Sequence, residues 1–287
     1  MNLLKQNSGK IFTILFIAIL LFVAIYDYNG KGEGDNIQKF DVRSDIKIVS
    51  GVPLIEVYPS DRENLPLVIL QHGFKNKKES MLKFGKSLAD QGFFVICPDA
   101  YAHGARDEEG ANLLEIIVRT AEEYDGIIGH YETDKRVDVS RLGISGFSMG
   151  GCICFYYTAY GKYKPKAIAP TITTPYFQQL IGTQLGRSGF SSGDGLYVEE
   201  DPEQIERINR FTREHSPFKD YKVFGELPVL MQNGEEDTYV TNEGVEKLMR
   251  AVGNDNPNMK LIYIPGARHQ VTEDMKDNIR EFFVTYL

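Results

Sequence analysis

From Phe40 to the C-terminus, short apolar runs alternate with longer runs in which apolar side chains recur every three or four positions. Residues 45–50 and 54–58 predict an opening hairpin around Gly51-Val52-Pro53. Residues 67–70 are continuously apolar, as expected of a strand covered on both faces, and 93–97 repeat that pattern. Between them, 77–91 carry Met81, Phe84 and Leu88 at helical spacing, with Gly92 as a stop. Residues 113–131 predict a long amphipathic helix. Strands are expected at 142–145, 166–172, 228–232 and 259–264, and helices at 243–252 and 272–287. Strand and helix taking turns imply an α/β fold, a mostly parallel twisted sheet with helices on both faces. Residues 174–225 interrupt the alternation with a glycine- and serine-rich piece, 186–195, and a helix expected over 202–213. Such an insertion is expected to sit over the mouth of the sheet as a cap. Its apolar residues Tyr176, Phe177, Leu180, Ile181 and Phe190 either line an acyl pocket or pack the cap onto the core.

The N-terminal pattern is different. Residues 11–26 (IFTILFIAILLFVAIY) are apolar throughout except for Thr13, slightly short of the roughly 20 residues of a full span. Lys5 and Lys10 precede the run, which by the positive-inside rule keeps the N-terminus in the cytoplasm and exports the rest. No convincing small-x-small cleavage site follows, so an uncleaved anchor is favoured over a cleaved signal. The expected organisation is a membrane anchor or signal segment at 1–28, a linker at 29–39 and a catalytic domain at 40–287. The membrane is the expected partner of the first segment, and the catalytic domain is expected outside the cytoplasm.

Composition narrows the function classes. With 42% hydrophobic and 25% charged residues, the 287-residue chain can bury a sizeable core. A net charge of -8 argues against a nucleic-acid partner, which needs a basic face. Cys97, Cys152 and Cys154 sit among apolar residues and are expected as buried free thiols. The sequence has no Cys/His cluster with zinc spacing and no glycine-rich phosphate loop, so neither a metal nor an organic cofactor is expected.

The candidate chemistry centres on Gly146-Phe147-Ser148-Met149-Gly150-Gly151, which lies between the strand at 142–145 and the apolar run 152–157. A G-x-S-x-G turn from strand into helix is a nucleophile elbow. Its serine is held in strained backbone, and the flanking positions that cannot carry bulky side chains are occupied by Gly146 and Gly150. A serine hydroxyl needs a base, and five histidines compete for that role. His269 follows the last predicted strand and so falls at the same C-terminal sheet edge as the elbow. His130 and His215 have no evident means of being fixed beside Ser148. The base needs a carboxylate to hold its tautomer. Three consecutive acids, Glu235-Glu236-Asp237, follow the strand at 228–232, and Asp237 is preferred because the turn after Gly234 needs residues to bring a side chain back. Oxyanion donors are expected from the backbone N–H groups of Met149, at the helix start, and Phe74, in Gln71-His72-Gly73-Phe74. His72 is then structural.

As an ordered set, Gln71 to Phe74, Pro98-Asp99 through His103-Gly104, Gly146 to Gly151, Asn233 to Val240 and Gly266 to His269 resemble the alpha/beta-hydrolase superfamily. Within it the chain is most similar to dienelactone-hydrolase-related and prolyl-oligopeptidase-like bacterial serine esterases, from about Asp45 to the C-terminus. The resemblance implies an alpha/beta-hydrolase fold, Ser148 as nucleophile, Asp237 as acid, His269 as base, and the N–H groups of Phe74 and Met149 as oxyanion hole. Dienelactone hydrolases proper use a cysteine where this chain has Ser148, a departure that concerns their substrate. The loop 98–106 borders the site in relatives, where His103 and Arg106 either touch substrate or brace the loop. Tyr176 and Phe177 are further expected substrate contacts. The expected function is hydrolysis of small-molecule carboxylic esters with small or medium acyl groups through an acyl-enzyme. A peptidase or amidase on the same scaffold and a catalytically silent envelope binding protein are the alternatives.

Overall fold

The opening hairpin closes on Ser50 and Gly51, both at positive φ (50° and 83°), between β1 (Val42–Val49) and β2 (Val52–Pro59). A two-residue turn of that hand matches the twist of the strands it joins. The hairpin begins an eight-stranded sheet in a computed structural model that describes residues 40–106, 111–182, 202–253 and 255–287. The expected anchor at 1–28, the linker at 29–39 and the glycine-rich part of the cap lie outside the described residues. Among the described residues, no helix is long and apolar enough to cross a membrane.

The remaining strands are β3 (Leu65–Gln71), β4 (Phe94–Pro98), β5 (Val137–Phe147), β6 (Ala167–Thr171), β7 (Val229–Gly234) and β8 (Met259–Ile264). Their spatial order is β1-β2-β4-β3-β5-β6-β7-β8. β2 runs antiparallel to both neighbours, and every pairing from β4 to β8 is parallel. The mostly parallel sheet expected from the pattern is therefore present. Its parallel strands deliver Gln71, Pro98, Phe147, Thr171, Gly234 and Ile264 to one edge.

Seven α-helices among the described residues accompany the strands. They are α1 (Leu82–Ala89), α2 (Leu113–Tyr131), α3 (Met149–Tyr160), α4 (Gln178–Gly182), α5 (Pro202–His215), α6 (Glu243–Leu248) and α7 (Glu273–Tyr286). α2 starts where Asn112 accepts from the Leu114 and Glu115 N–H groups, and α7 where Thr272 accepts from that of Met275. Several boundaries differ from expectation. The helix expected over 77–91 opens as a 3-10 turn over Lys78–Met81 before α1, and β2 starts at Val52 rather than 54. β5 starts at Val137 rather than 142, because pairing with β3 carries it through Asp138, Ser140 and Arg141, whose side chains bond one another. α6 ends at Leu248, and the expected continuation to 252 is a π turn over Met249–Gly253.

Alternate residues of β3 face two cores. Leu67 and Ile69 pack with α2 and α3 on one side, while Val68 and Leu70 pack with α1 and α7 on the other. All seven β3 residues are buried, and each large apolar side chain so covered contributes roughly 1.5–3 kcal/mol relative to exposure. That double covering holds the C-terminal edge rigid beneath the loops that follow it.

Candidate active site

Ser148 sits between β5 and α3 at φ 55° and ψ -114°, a conformation an L-residue adopts only under constraint. The constraint is legible in its neighbours. A Cβ on Gly146 would lie 2.3 Å from the Gly150 carbonyl oxygen, and one on Gly150 would lie 2.4 Å from that of Gln71. The turn can thus be this sharp only with glycine at both positions. The Ser148 N–H donates to the Thr171 carbonyl (3.0 Å), and its own carbonyl accepts from Gly151 and Cys152 N–H and from Thr173 Oγ1.

His269, in the loop between β8 and α7, places Nε2 2.8 Å from Ser148 Oγ. Its Nδ1 lies 2.7 Å from Asp237 Oδ2. A carboxylate only accepts, so Nδ1 carries the proton and Nε2 offers its lone pair to the serine hydroxyl. Asp237 is fixed in turn: its side chain is fully buried, and Oδ1 accepts from the Tyr239 (2.9 Å) and Val240 (3.0 Å) N–H groups. The turn after Gly234 delivers Asp237, whereas Glu236 is 59% exposed and faces Arg268. The Tyr239 ring lies nearly parallel to the His269 imidazole, 5.4 Å away.

Ser148 opens onto a cavity of about 590 Å³ shared with Gly73, Phe74, Tyr239 and His269. Gly73 is close enough that a Cβ there would lie 3.7 Å from Ser148 Cβ. Phe74 therefore follows directly on a residue that approaches the serine, and Met149 is the first residue of α3, where a backbone N–H lies beyond the reach of helix-internal acceptors.

The expected substrate contacts are placed elsewhere. Phe177 is fully buried and stacks on Tyr156, and Tyr176 packs edge-on against Phe218 with the Lys247 ammonium 3.8 Å above its ring. Neither lines the cavity among the described residues. Phe177 packs into the core shared with α3, and Tyr176 packs within the insertion against Phe218. His103 and Arg106 also stand back from the cavity wall. His103 Nε2 accepts the Lys75 N–H (3.0 Å), Nδ1 meets the Tyr101 carbonyl (3.0 Å), and the ring stands edge-on to Phe74. Arg106 forms a two-pronged pair with Glu123 (2.7 and 2.5 Å). Both brace the loop.

His72 is fully buried, donating from Nδ1 to the Gly73 carbonyl (2.8 Å) and accepting the Ala100 N–H on Nε2 (3.0 Å). Burial pushes its pKa down to about 4, so it is neutral near pH 7. Two features behind this wall were not foreseen. Lys78 and Asp99 form a buried ion pair (2.7 Å). Although burial pushes the Asp99 carboxyl up, its bonds from Lys78 Nζ, the Lys78 N–H and the Ala105 N–H hold it below the usual carboxylate value. On the other side, Asn233 bonds both the N–H and the carbonyl of Thr173, joining the ends of β6 and β7. The cysteines are free and buried as expected, and burial raises the Cys152 thiol to about 11. Among the described residues no group of acids, histidines and cysteines is arranged to hold a metal.

Comparison with known proteins places the chain among similar folds and sequences. Residues 55–178 match the model of the Dienelactone hydrolase family. The chain is 25% identical over 252 residues to the putative esterase YitV of Bacillus subtilis, covering 83% of this chain and 97% of that protein. It is 25% identical over 254 residues to esterase YjfP of Escherichia coli, with the same coverage of each. The crystal structure of TT1662 from Thermus thermophilus shares the fold, with a TM-score of 0.65 and 20% identity over 86% of this chain and 98% of that one.

Proposed function

We propose that this chain, whose residues 55–178 match the Dienelactone hydrolase family and whose sheet is alpha/beta-hydrolase-like, is a serine hydrolase of carboxylic esters. The observation that carries the proposal is the relay from Ser148 Oγ through His269 to Asp237 beside an open cavity. The resemblance to proteins described as esterases supports it.

In this reading Ser148 Oγ attacks the ester carbonyl carbon as His269 Nε2 takes the hydroxyl proton. The N–H groups of Phe74 and Met149 stabilise the oxyanion, a donor in such a position being worth about 3–4 kcal/mol. As the C–O bond breaks, His269 returns the proton to the departing alcohol, leaving an acyl group on Ser148. Water then gives a proton to His269 as it attacks the acyl carbon, and His269 passes that proton to Ser148 Oγ as the acyl bond breaks, releasing the acid and free serine. Asp237 stabilises the imidazolium in both halves without taking its proton. The apolar side chains of Phe74, Met81, Phe84, Phe147 and Ile172 on the cavity wall suit a small or medium acyl chain.

Ser148→Ala tests the assignment. Turnover of a short-chain chromogenic ester and labelling by a fluorophosphonate should both be lost while the circular dichroism spectrum is kept. A correctly folded variant that retains full activity overturns the proposal.

A further inference from the structure

Among the described residues, no strand pairs with the outer edge of β1. β1 is an end strand, eight residues long, and pairs with β2 along its whole length without a bulge. It contains no proline, and Ile46 and Ile48 are 73% and 75% exposed. Edge strands of this kind template pairing with another chain, and proteins commonly blunt them with proline, bulges or inward charges.

Backbone direction determines what the edge offers. The Ser60 N–H donates to the Asp41 carbonyl, and β1 and β2 pair antiparallel in continuous register. Because the bonding side alternates along an antiparallel strand, residues 41, 43, 45 and 47 turn their N–H and C=O groups toward β2. Residues 42, 44, 46 and 48 turn theirs outward. A second copy joining antiparallel across a two-fold axis can centre on an outward residue, in a hydrogen-bonded pair, or on one turned toward β2, in a non-hydrogen-bonded pair. An axis at Arg43, Asp45 or Lys47 sets like charges directly opposite each other, which leaves the outward residues.

Charge selects which one. The residues turned toward β2 alternate in sign: Asp41, Arg43, Asp45, Lys47. With the axis at Ser44, Asp41 faces Lys47 of the second copy and Arg43 faces Asp45, so every charge on the strand meets its opposite. Arg43 and Asp41 are exposed and meet each other only at 3.8 Å, Asp41 also accepts from the Ser60 hydroxyl (2.8 Å), and Asp45 is steadied by the Tyr58 hydroxyl (2.7 Å). An axis at Val42, Ile46 or Ile48 leaves some of these charges unmatched. On the opposite face, Ile46 meets Val42 of the second copy, with the small Ser44 side chain on the axis.

We propose that β1 is a homodimer edge, through which two copies of this chain pair antiparallel about Ser44 and merge their sheets. The inference is independent of the hydrolase reading. In the strand order β1 lies four strands from β5, about 19 Å away, so changes on it do not touch Ser148.

The test is cross-linking of the full chain carrying Ser44→Cys by a short bis-maleimide. The native cysteines are buried, so the introduced thiol is the one that reacts. A covalent dimer is expected from Ser44→Cys, and far less from Ile46→Cys, whose two copies would lie about 14 Å apart along the paired strands. Adding Lys47→Asp to Ser44→Cys should cut the dimer yield several-fold. Adding Asp41→Lys as well should restore it, because the swapped pair is again of opposite sign. Three results would each overturn the proposal. The Ser44→Cys yield could be no higher than that of Ser140→Cys on another exposed surface. Ile46→Cys could cross-link as well as Ser44→Cys. The paired charge swap could fail to restore what Lys47→Asp removes.

Discussion

The two walls of the site are built differently. On the side that the proposed mechanism gives to the oxyanion, residues 71–78 and 98–106 are tied by buried contacts in which His72 takes the Ala100 N–H, His103 takes that of Lys75, and Asp99 binds Lys78. On the acid–base side, His269 is held by Asp237, Ser148 and the Tyr239 ring, and Arg268 beside it is 82% exposed. The difference follows from the two tasks. Donors to a developing oxyanion gain by being fixed before the charge appears, since reorganising them later would cost energy. A base that serves first an alcohol and then a water must stay within reach of solvent. Damage to the first wall should therefore lower stability and activity together, and damage to the second should lower activity alone.

Asp237→Asn is the strongest test of the second half of that statement. An amide can keep the bonds from the Tyr239 and Val240 N–H groups through its oxygen, so the fold should hold. Its NH2 would then face His269 Nδ1 and force the proton onto Nε2, where it blocks transfer from Ser148. We expect kcat to fall by about 10⁴-fold with a nearly unchanged melting temperature. The exposed Glu236→Gln should be near wild type. A loss below tenfold in Asp237→Asn, or a large one in Glu236→Gln, would move the acid elsewhere.

The first wall is best probed by pH. Burial lowers His72 to about 4, partly offset by its bond to the Gly73 carbonyl, against an ordinary value of 6.5. Between those values the unfolded chain binds a proton that the folded chain does not. Stability contributed here is therefore complete above about pH 6.5 and falls as pH drops toward 4, by on the order of 3 kcal/mol. Protonation would also put a hydrogen on Nε2, where the Ala100 N–H now donates. His72→Gln, which can accept that N–H without titrating, should flatten this part of the profile. Urea midpoints at pH 7 and pH 4.5 measure it, and an equal drop in both proteins would assign the acid loss to other groups.

How much of this was legible in the sequence differs by residue. The elbow could be read because Gly146 and Gly150 are required by close backbone approach, a constraint that acts between near neighbours in the chain. Asp237 and His269 could be placed because alternating strand and helix fix which loops share an edge. The Lys78–Asp99 pair could not. Lys75-Asn76-Lys77-Lys78 has the composition of a solvated stretch, and only the delivery of Asp99 by β4 shows that Lys78 alone of its lysines is buried. Tyr176 and Phe177 were equally compatible with pocket or core, since apolar composition does not say which face of a wall a side chain occupies. Met81 and Phe84, read as the buried stripe of a helix, are the ones that reach the cavity.

The smallest expected effect comes from Tyr239, and it measures how loosely the second wall is made. The Tyr239 ring is 37% exposed and lies 16° from parallel with the His269 imidazole, while its backbone N–H, independent of the side chain, donates to Asp237. Tyr239→Leu removes the stack and keeps that bond. An aromatic pair of this kind is worth about 0.5–1.5 kcal/mol, so kcat/KM should fall by no more than about tenfold, with stability almost unchanged. Tyr239→Phe retains the ring and should stay near wild type. If Tyr239→Phe loses as much as Tyr239→Leu, the hydroxyl contributes through substrate instead of the ring through His269. Steady-state kinetics would show this as a rise in KM, and the acid–base wall would then share in substrate binding as well as proton transfer.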